Sequence, residues 1–141
     1  MYTLRPATAD DYDFLRQLHR ATMLEYVERT WGWDEDVQAA MFRERFDPAR
    51  EQIVVVDGSD VGVLRVERRV DQLFLAELLI APAHQGHGLG GAILADLRAE
   101  AARAGLPVTL QVVKVNPARR FYERHGLRVT GETATHYLMS T

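Results

Sequence analysis

Apolar positions in the first third of the chain recur at three- and four-residue intervals, and after residue 52 they alternate or run together. This change of period divides the sequence into helical and extended parts. Residues 2–5 read as a short strand. Thr8-Ala9-Asp10-Asp11 reads as a capping box, with Asp11 reaching back to the cap. A helix follows whose buried stripe is Phe14, Leu15, Leu18, Thr22 and Val27. Trp31-Gly32-Trp33 breaks it. Asp34 caps a second helix reaching about Phe46, with Val37, Met41 and Phe42 expected to face inward, and Asp47-Pro48 ends it. Ile53-Val54-Val55-Val56 is β-branched and predicts a strand, Asp57-Gly58 a hairpin turn, and residues 61–68 the returning strand. Residues 73–80 form a third strand, largely apolar and expected to be covered on both faces.

The second half repeats this alternation of elements. Residues 82–91 are a glycine-rich loop that opens a helix to about Ala104, closed by Gly105. Residues 106–115 are a strand. Asn116 caps a short helix with Pro117 at its first position, on which Ala118, Phe121, Tyr122 and His125 share a face. Gly126 stops it, and strands near residues 127–130 and 136–139 finish the chain. The reading is an α/β (α+β) chain, residues 1–141 in a single domain. It has a mixed, mostly antiparallel central sheet of about six to seven strands with helices on both faces.

Composition narrows the possibilities. A net charge of −3 gives no general attraction to phosphate backbones, so no nucleic-acid partner is expected. The absence of cysteine removes disulfides, thiolate metal sites and cysteine nucleophiles. His84 and His87 lie in the loop without a nearby carboxylate, so no metal is expected. The opening residues lack the layout of a signal peptide, and the longest apolar run is too short to span a bilayer. A cytoplasmic protein with no membrane partner is the expectation. A homodimer suits so small a chain, but no residue argues for it.

The loop carries the first chemistry. Between a strand and a helix, free backbone N–H groups and the helix dipole make an anion site, and glycine lets backbone approach phosphate closely. Two patterns fit. Gly86, Gly88 and Gly91 spell a dinucleotide fingerprint, and Gln85, Gly88 and Gly90 spell Q-x-x-G-x-G. The dinucleotide reading wants its first glycine directly after the strand and a carboxylate at the end of the next one. Here residues 81–85 intervene, and the next strand ends in Lys114-Val115-Asn116.

The second pattern extends into a family resemblance. Residues 78–90, Leu-Leu-Ile-Ala-Pro-Ala-His-Gln-Gly-His-Gly-Leu-Gly, and residues 115–127, with Asn116, Ala118, Phe121, Tyr122 and Gly126 at the family's spacing, resemble the Gcn5-related N-acetyltransferase (GNAT) family. Leu127 stands where the family has Phe. The likeness covers nearly the whole chain. It implies the GNAT fold, acetyl-CoA as donor, and an amine-bearing acceptor whose identity the residues do not reveal. It implies that the strands ending at Ile80 and Val115 splay to admit pantetheine. Leu78, Leu79 and Ile80 would then pair with the cofactor, and Gln85, Gly86, His87, Gly88, Leu89, Gly90 and Gly91 would hold the pyrophosphate. Asn116 would contact the cofactor arm, and Tyr122 would point at the sulfur.

Amine acetylation sets further requirements. A lysine-like amine, with a pKa of about 10.4, is free base in only about one molecule per thousand at neutral pH. The site needs a route for the amine's proton, donors for an oxyanion and an acid for the thiolate. Glu77 is the only ionisable residue between Leu73 and Ile80, and is the candidate base. Tyr122 is the candidate acid, and a backbone N–H near Leu78 or Leu79 the oxyanion donor. His136 is a further relay candidate. Tyr26, Glu28, Trp31 and Trp33, aromatic and acidic, suit a cationic acceptor, though the tryptophans equally suit a core plug. The expected activity is direct N-acetyl transfer in a ternary complex. The alternatives are a non-catalytic acetyl-CoA or CoA sensor and a nucleotide-binding module.

Overall fold

The computed structural model describes residues 1–141. Seven strands form a sheet in the order β1-β2-β3-β4-β5-β7-β6, mostly antiparallel and flanked by helices. The strands are β1 (Thr3–Pro6), β2 (Gln52–Val56), β3 (Ser59–Arg68), β4 (Leu73–Ile80), β5 (Val108–Val113), β6 (Arg128–Glu132) and β7 (His136–Ser140). The helices are α1 (Tyr12–Trp31), α2 (Glu35–Arg45), α3 (Leu89–Ala104) and α4 (Ala118–Arg124). The chain forms two compact units, residues 1–65 with 77–87, and residues 66–76 with 88–141.

In the first unit, the Thr8 capping box is present with both of its hydrogen bonds, but it starts a short 3-10 turn, Ala9–Asp11, that leads into α1. Arg5 braces this corner, with Nη2 at 2.7 Å from Asp11 and 2.9 Å from Asp60. Leu15, Leu18 and Val27 of α1 are buried as their spacing predicts. Gly32, at φ 84°, ends α1, and the Asp34 carboxylate caps α2 by accepting from the Val37 N–H at 3.0 Å.

The inward face of α2 differs from the sequence expectation. Val37 and Met41 are 52% and 42% exposed. The half-buried residues are Gln38, Ala39 and Phe42, with Phe46 just beyond the helix end. Phe42 and Phe46 meet Tyr12 edge-on, with ring centroids 5.4 and 5.0 Å away. Three rings bury more apolar surface than Val37 and Met41 could, and at 100° per residue that orientation turns the 37/41 row away. The cluster under these helices comprises Ala7, Leu15, Leu18, Ile53 and Val63, with Leu79 and Ala81 packed on it.

The β2–β3 hairpin turns at Asp57 and Gly58, both at positive φ, as the primed turns require. Its register shifts between Val54 and Val55: Val55 pairs with Asp60, but Val54 pairs with Gly62. The extra residue is a bulge.

In the second unit, β4 and β5 pair in parallel over Leu73↔Val108 and Phe74↔Thr109, while β5 continues against β7 from Leu110↔Met139 to Val113↔His136. Leu73 and Leu75 are buried but Ala76 is exposed, so this stretch alternates instead of being covered on both faces. Ile93, Leu94, Leu97 and Ala101 form the buried face of α3, which Gly105 ends at φ 69°.

Candidate functional site

The residues singled out from sequence divide between the two units. The first carries Tyr26, Glu28, Trp31, Trp33, Glu77, Leu78, Leu79, Ile80, Gln85, Gly86 and His87. The second carries Gly88, Leu89, Gly90, Gly91, Asn116, Tyr122 and His136.

On β4, the directions of the backbone groups matter. The Ala81 N–H donates to the Val61 carbonyl at 2.8 Å, and the Leu79 carbonyl oxygen lies 2.5 Å from where a Cβ on Gly62 would stand. Both groups therefore point toward β3. Successive residues of a strand point their polar groups to opposite edges, so those of Leu78 and Ile80 face away from β3. The Ile80 carbonyl is taken by the Gln85 side-chain amide, which donates at 2.9 Å and ties the loop back to its strand. Gln85 thus has an internal job that its place in the motif did not reveal.

Glu77 is half-buried and its carboxyl is pushed up to about 7. Burial is the main cause, and the negative charge of Glu51 adds to it, against the pull of Arg45 and Arg65. Such a carboxylate can accept and release a proton near neutrality. Glu51 and Arg65 were not singled out from sequence.

Gln85, Gly86, His87 and Gly88 are exposed, and Gly86 and Gly88 sit at φ 79° and 81° with open space where a Cβ would point. Gly88 is the N-cap of α3 and supplies no side-chain hydrogen bond. The first intrahelical bond runs from the Ala92 N–H to the Gly88 carbonyl at 3.0 Å. The amides of Leu89, Gly90 and Gly91 precede it, so they have no carbonyl within the helix and carry the positive end of its dipole. Gly90 and Gly91 have a further reason to be glycine. A Cβ would stand 3.2 Å from the Phe121 ring at Gly90 and 2.8 Å from the His125 ring at Gly91. Close packing of α3 on α4 therefore accounts for these two glycines, and the ring of His125 is a packing element.

Asn116 caps α4: its Oδ1 accepts from the Ala118 N–H at 2.9 Å. Tyr122 packs edge-on to Phe121 at 5.2 Å, and its hydroxyl has no hydrogen-bond partner within the chain. Burial pushes its phenol up to about 12, so it remains a proton donor at neutral pH. His136 opens β7, with Nδ1 2.8 Å from the Thr135 hydroxyl.

The tryptophans behave differently from each other. Trp31 is 58% exposed and plugs no core. Trp33 is half-buried with its Nε1 enclosed, and it lines a small pocket between α1 and α2 with Arg16, His19, Gln38 and Phe42. His19 there is pushed down to about 4, by burial and by Arg45, and is neutral at physiological pH. Tyr26 is half-buried and Glu28 exposed. No group of three or more His, Asp or Glu side chains could hold a metal ion, and no helix is long and apolar enough to cross a membrane.

Comparison with known structures shows the same fold elsewhere. PaiA N-acetyltransferase from Thermoplasma acidophilum, solved in complex with coenzyme A, superposes with a TM-score of 0.81 at 14% identity. The match covers 100% of this chain and 98% of that one. An acetyltransferase from Thermus thermophilus gives 0.74 at 24% identity, over 100% and 96% of the two chains. The ribosomal-protein-S18-alanine N-acetyltransferase of Escherichia coli gives 0.66 at 19%, over 99% and 92%. At such identities the likeness speaks for the fold. The family itself is shown by sequence: the model of the acetyltransferase (GNAT) domain matches residues 49–128, more than half of the chain. This chain therefore belongs to the GNAT acetyltransferase domain family.

Proposed function

We propose that the chain, acting as one domain, is an acetyl-CoA-dependent N-acetyltransferase that acetylates a primary amine by direct attack in a ternary complex. One observation carries the reading: α3 begins without a side-chain cap, behind two exposed left-handed glycines. Uncapped amides at a helix start, reached past glycines with no Cβ in the way, suit a diphosphate. Structural relatives add support. One is described in complex with coenzyme A, and another as acting on an alanine of ribosomal protein S18. For this chain the acceptor is assigned only as an amine on a small molecule, amino acid or peptide.

The residue roles follow from their chemistry. The amides of residues 86–91 hold the diphosphate, and the Leu78 carbonyl and the Ile80 N–H, which face away from β3, take the amides of the pantetheine arm, with Asn116 as a further contact. The donor supplies an activated thioester carbonyl. The Leu78 N–H is the better oxyanion donor than that of Leu79, because Leu79 turns its polar groups toward β3. Glu77 takes the proton that the attacking nitrogen loses, directly or through water. Tyr122 donates to the sulfur as the C–S bond breaks. A phenol near 12 gives its proton to a thiolate of ordinary basicity, about 8.5, only at a cost of about 5 kcal/mol. Tyr122 therefore acts mainly through the hydrogen bond, which strengthens as charge develops on sulfur.

The test is release of free thiol from acetyl-CoA against a panel of primary amines. Amine-dependent release is expected. Y122F should lower kcat by about 10²-fold with little change in KM, as loss of a donor acting only in the transition state does. Stabilisation by acetyl-CoA without amine-dependent release would replace the enzyme by a CoA-binding sensor.

A further inference from the structure

The charges around Glu77 are ordered by the strand pattern. Ile53 of β2, Val63 of β3 and Leu79 of β4 pack in one apolar cluster. Side chains alternate along a strand, so residues two positions apart share a side. Glu51 lies two residues before Ile53, Arg65 two after Val63, and Glu77 two before Leu79. Alternation holds at Glu51, whose backbone is extended (φ −121°, ψ 148°) and whose carbonyl accepts the Ala7 N–H at 3.0 Å. The β2–β3 register, Gln52↔Leu64, carried one residue on, sets Glu51 opposite Arg65. Two carboxylates and the guanidinium thus stand on one side of three neighbouring strands. Arg45, the last residue of α2, and Asp47 face the same group of charges. Arg65 is not locked to either carboxylate through its Nε, which is buried without a hydrogen-bond partner.

With every group ionised, Asp47, Glu51 and Glu77 exceed Arg45 and Arg65 by one negative charge. One proton makes the cluster neutral, and that proton favours Glu77. We propose that Glu51 and Arg65 are positioning residues for Glu77, the first driving its carboxyl toward proton uptake and the second limiting that drive. The functional meaning rests on the reading of Glu77 as the base, whereas the coupling does not.

The test is a 13C NMR titration of the glutamate side-chain carboxyls in the full chain, with E77Q identifying the Glu77 signal. Its midpoint is expected near 7 in the wild type. E51Q should lower the midpoint by about one pH unit, and E51D should restore it. R65M should raise it. If R65M does not fold, E51Q and E51D decide alone. A Glu77 midpoint unmoved in E51Q overturns the proposal. The acid limb of the kcat/KM profile then separates the two readings. A limb abolished by E77Q but unmoved by E51Q leaves the base and removes the coupling. Midpoints that move while E77Q keeps the limb leave the coupling and remove the base.

Discussion

Replacing Glu77 by glutamine should make the protein more stable above neutral pH. In the unfolded chain this carboxyl titrates near 4.5, and in the folded chain it is raised to about 7. Between those values the folded state holds a proton that the unfolded state has released. The stability this group contributes is complete below about 4.5 and is lost as pH rises through about 7. At about 1.4 kcal/mol per pH unit, the gap corresponds to about 3 kcal/mol. Glu77 is only half-buried, so solvent screening reduces this to the order of 1–3 kcal/mol. Glutamine has the same shape and no charge. E77Q should therefore match the wild type at pH 4 and exceed it by that amount at pH 8. Paired urea unfolding curves at both pH values measure the difference, and comparing variant with wild type cancels the titration of every group not coupled to Glu77. A pH-independent difference, or an E77Q variant no more stable at pH 8, would refute the claim that a buried charge is held here at a cost in stability.

Other substitutions test other parts of the structure. G62A sets a Cβ against the Leu79 carbonyl oxygen of the neighbouring strand, and should cost about 2–3 kcal/mol in urea unfolding because backbone has to move. G88A meets no atom but forces a side chain to φ 81°, so it should cost about 1–2 kcal/mol and weaken acetyl-CoA binding in calorimetry. D34A removes the α2 cap and should cost about 1 kcal/mol, whereas V37S on the exposed row should stay within about 0.5 kcal/mol.

The elements themselves were legible because local chemistry dictates them. Thr8 and Asp11 form their capping box, Asp34 its cap, Asp57 and Gly58 their primed turn, and Gly105 its left-handed helix end. Each depends on residues within a few positions of one another. The order of helices and strands and the motif around the start of α3 followed from the same local reading, as did a Glu77 carboxyl shielded in part from water, but the charges gathered around it did not. The inward face of α2 did not. Val37 and Met41 are as apolar as a core helix needs, and only the partners available, Tyr12 and the α1 side of the cluster, turn Phe42 and Phe46 inward instead.

Register was decided by tertiary structure as well. A hairpin closed at Asp57 and Gly58 with no irregularity would set Glu51 across from Leu64, whereas the extra residue on β3, Val61, opposite the step from Val54 to Val55, moves the pairing by one residue and brings Arg65 opposite Glu51. Gly62 beside Val61 is the one local hint, and it does not say which residue is left unpaired. Gly90 and Gly91 likewise carry a packing role that their place in the motif did not reveal, with the rings of Phe121 and His125 standing where a Cβ would point. Capping and turn chemistry act over a few bonds and can be read along the chain. Charge coupling, register and close approach act through space between residues far apart in sequence, so they exist only once the chain has folded.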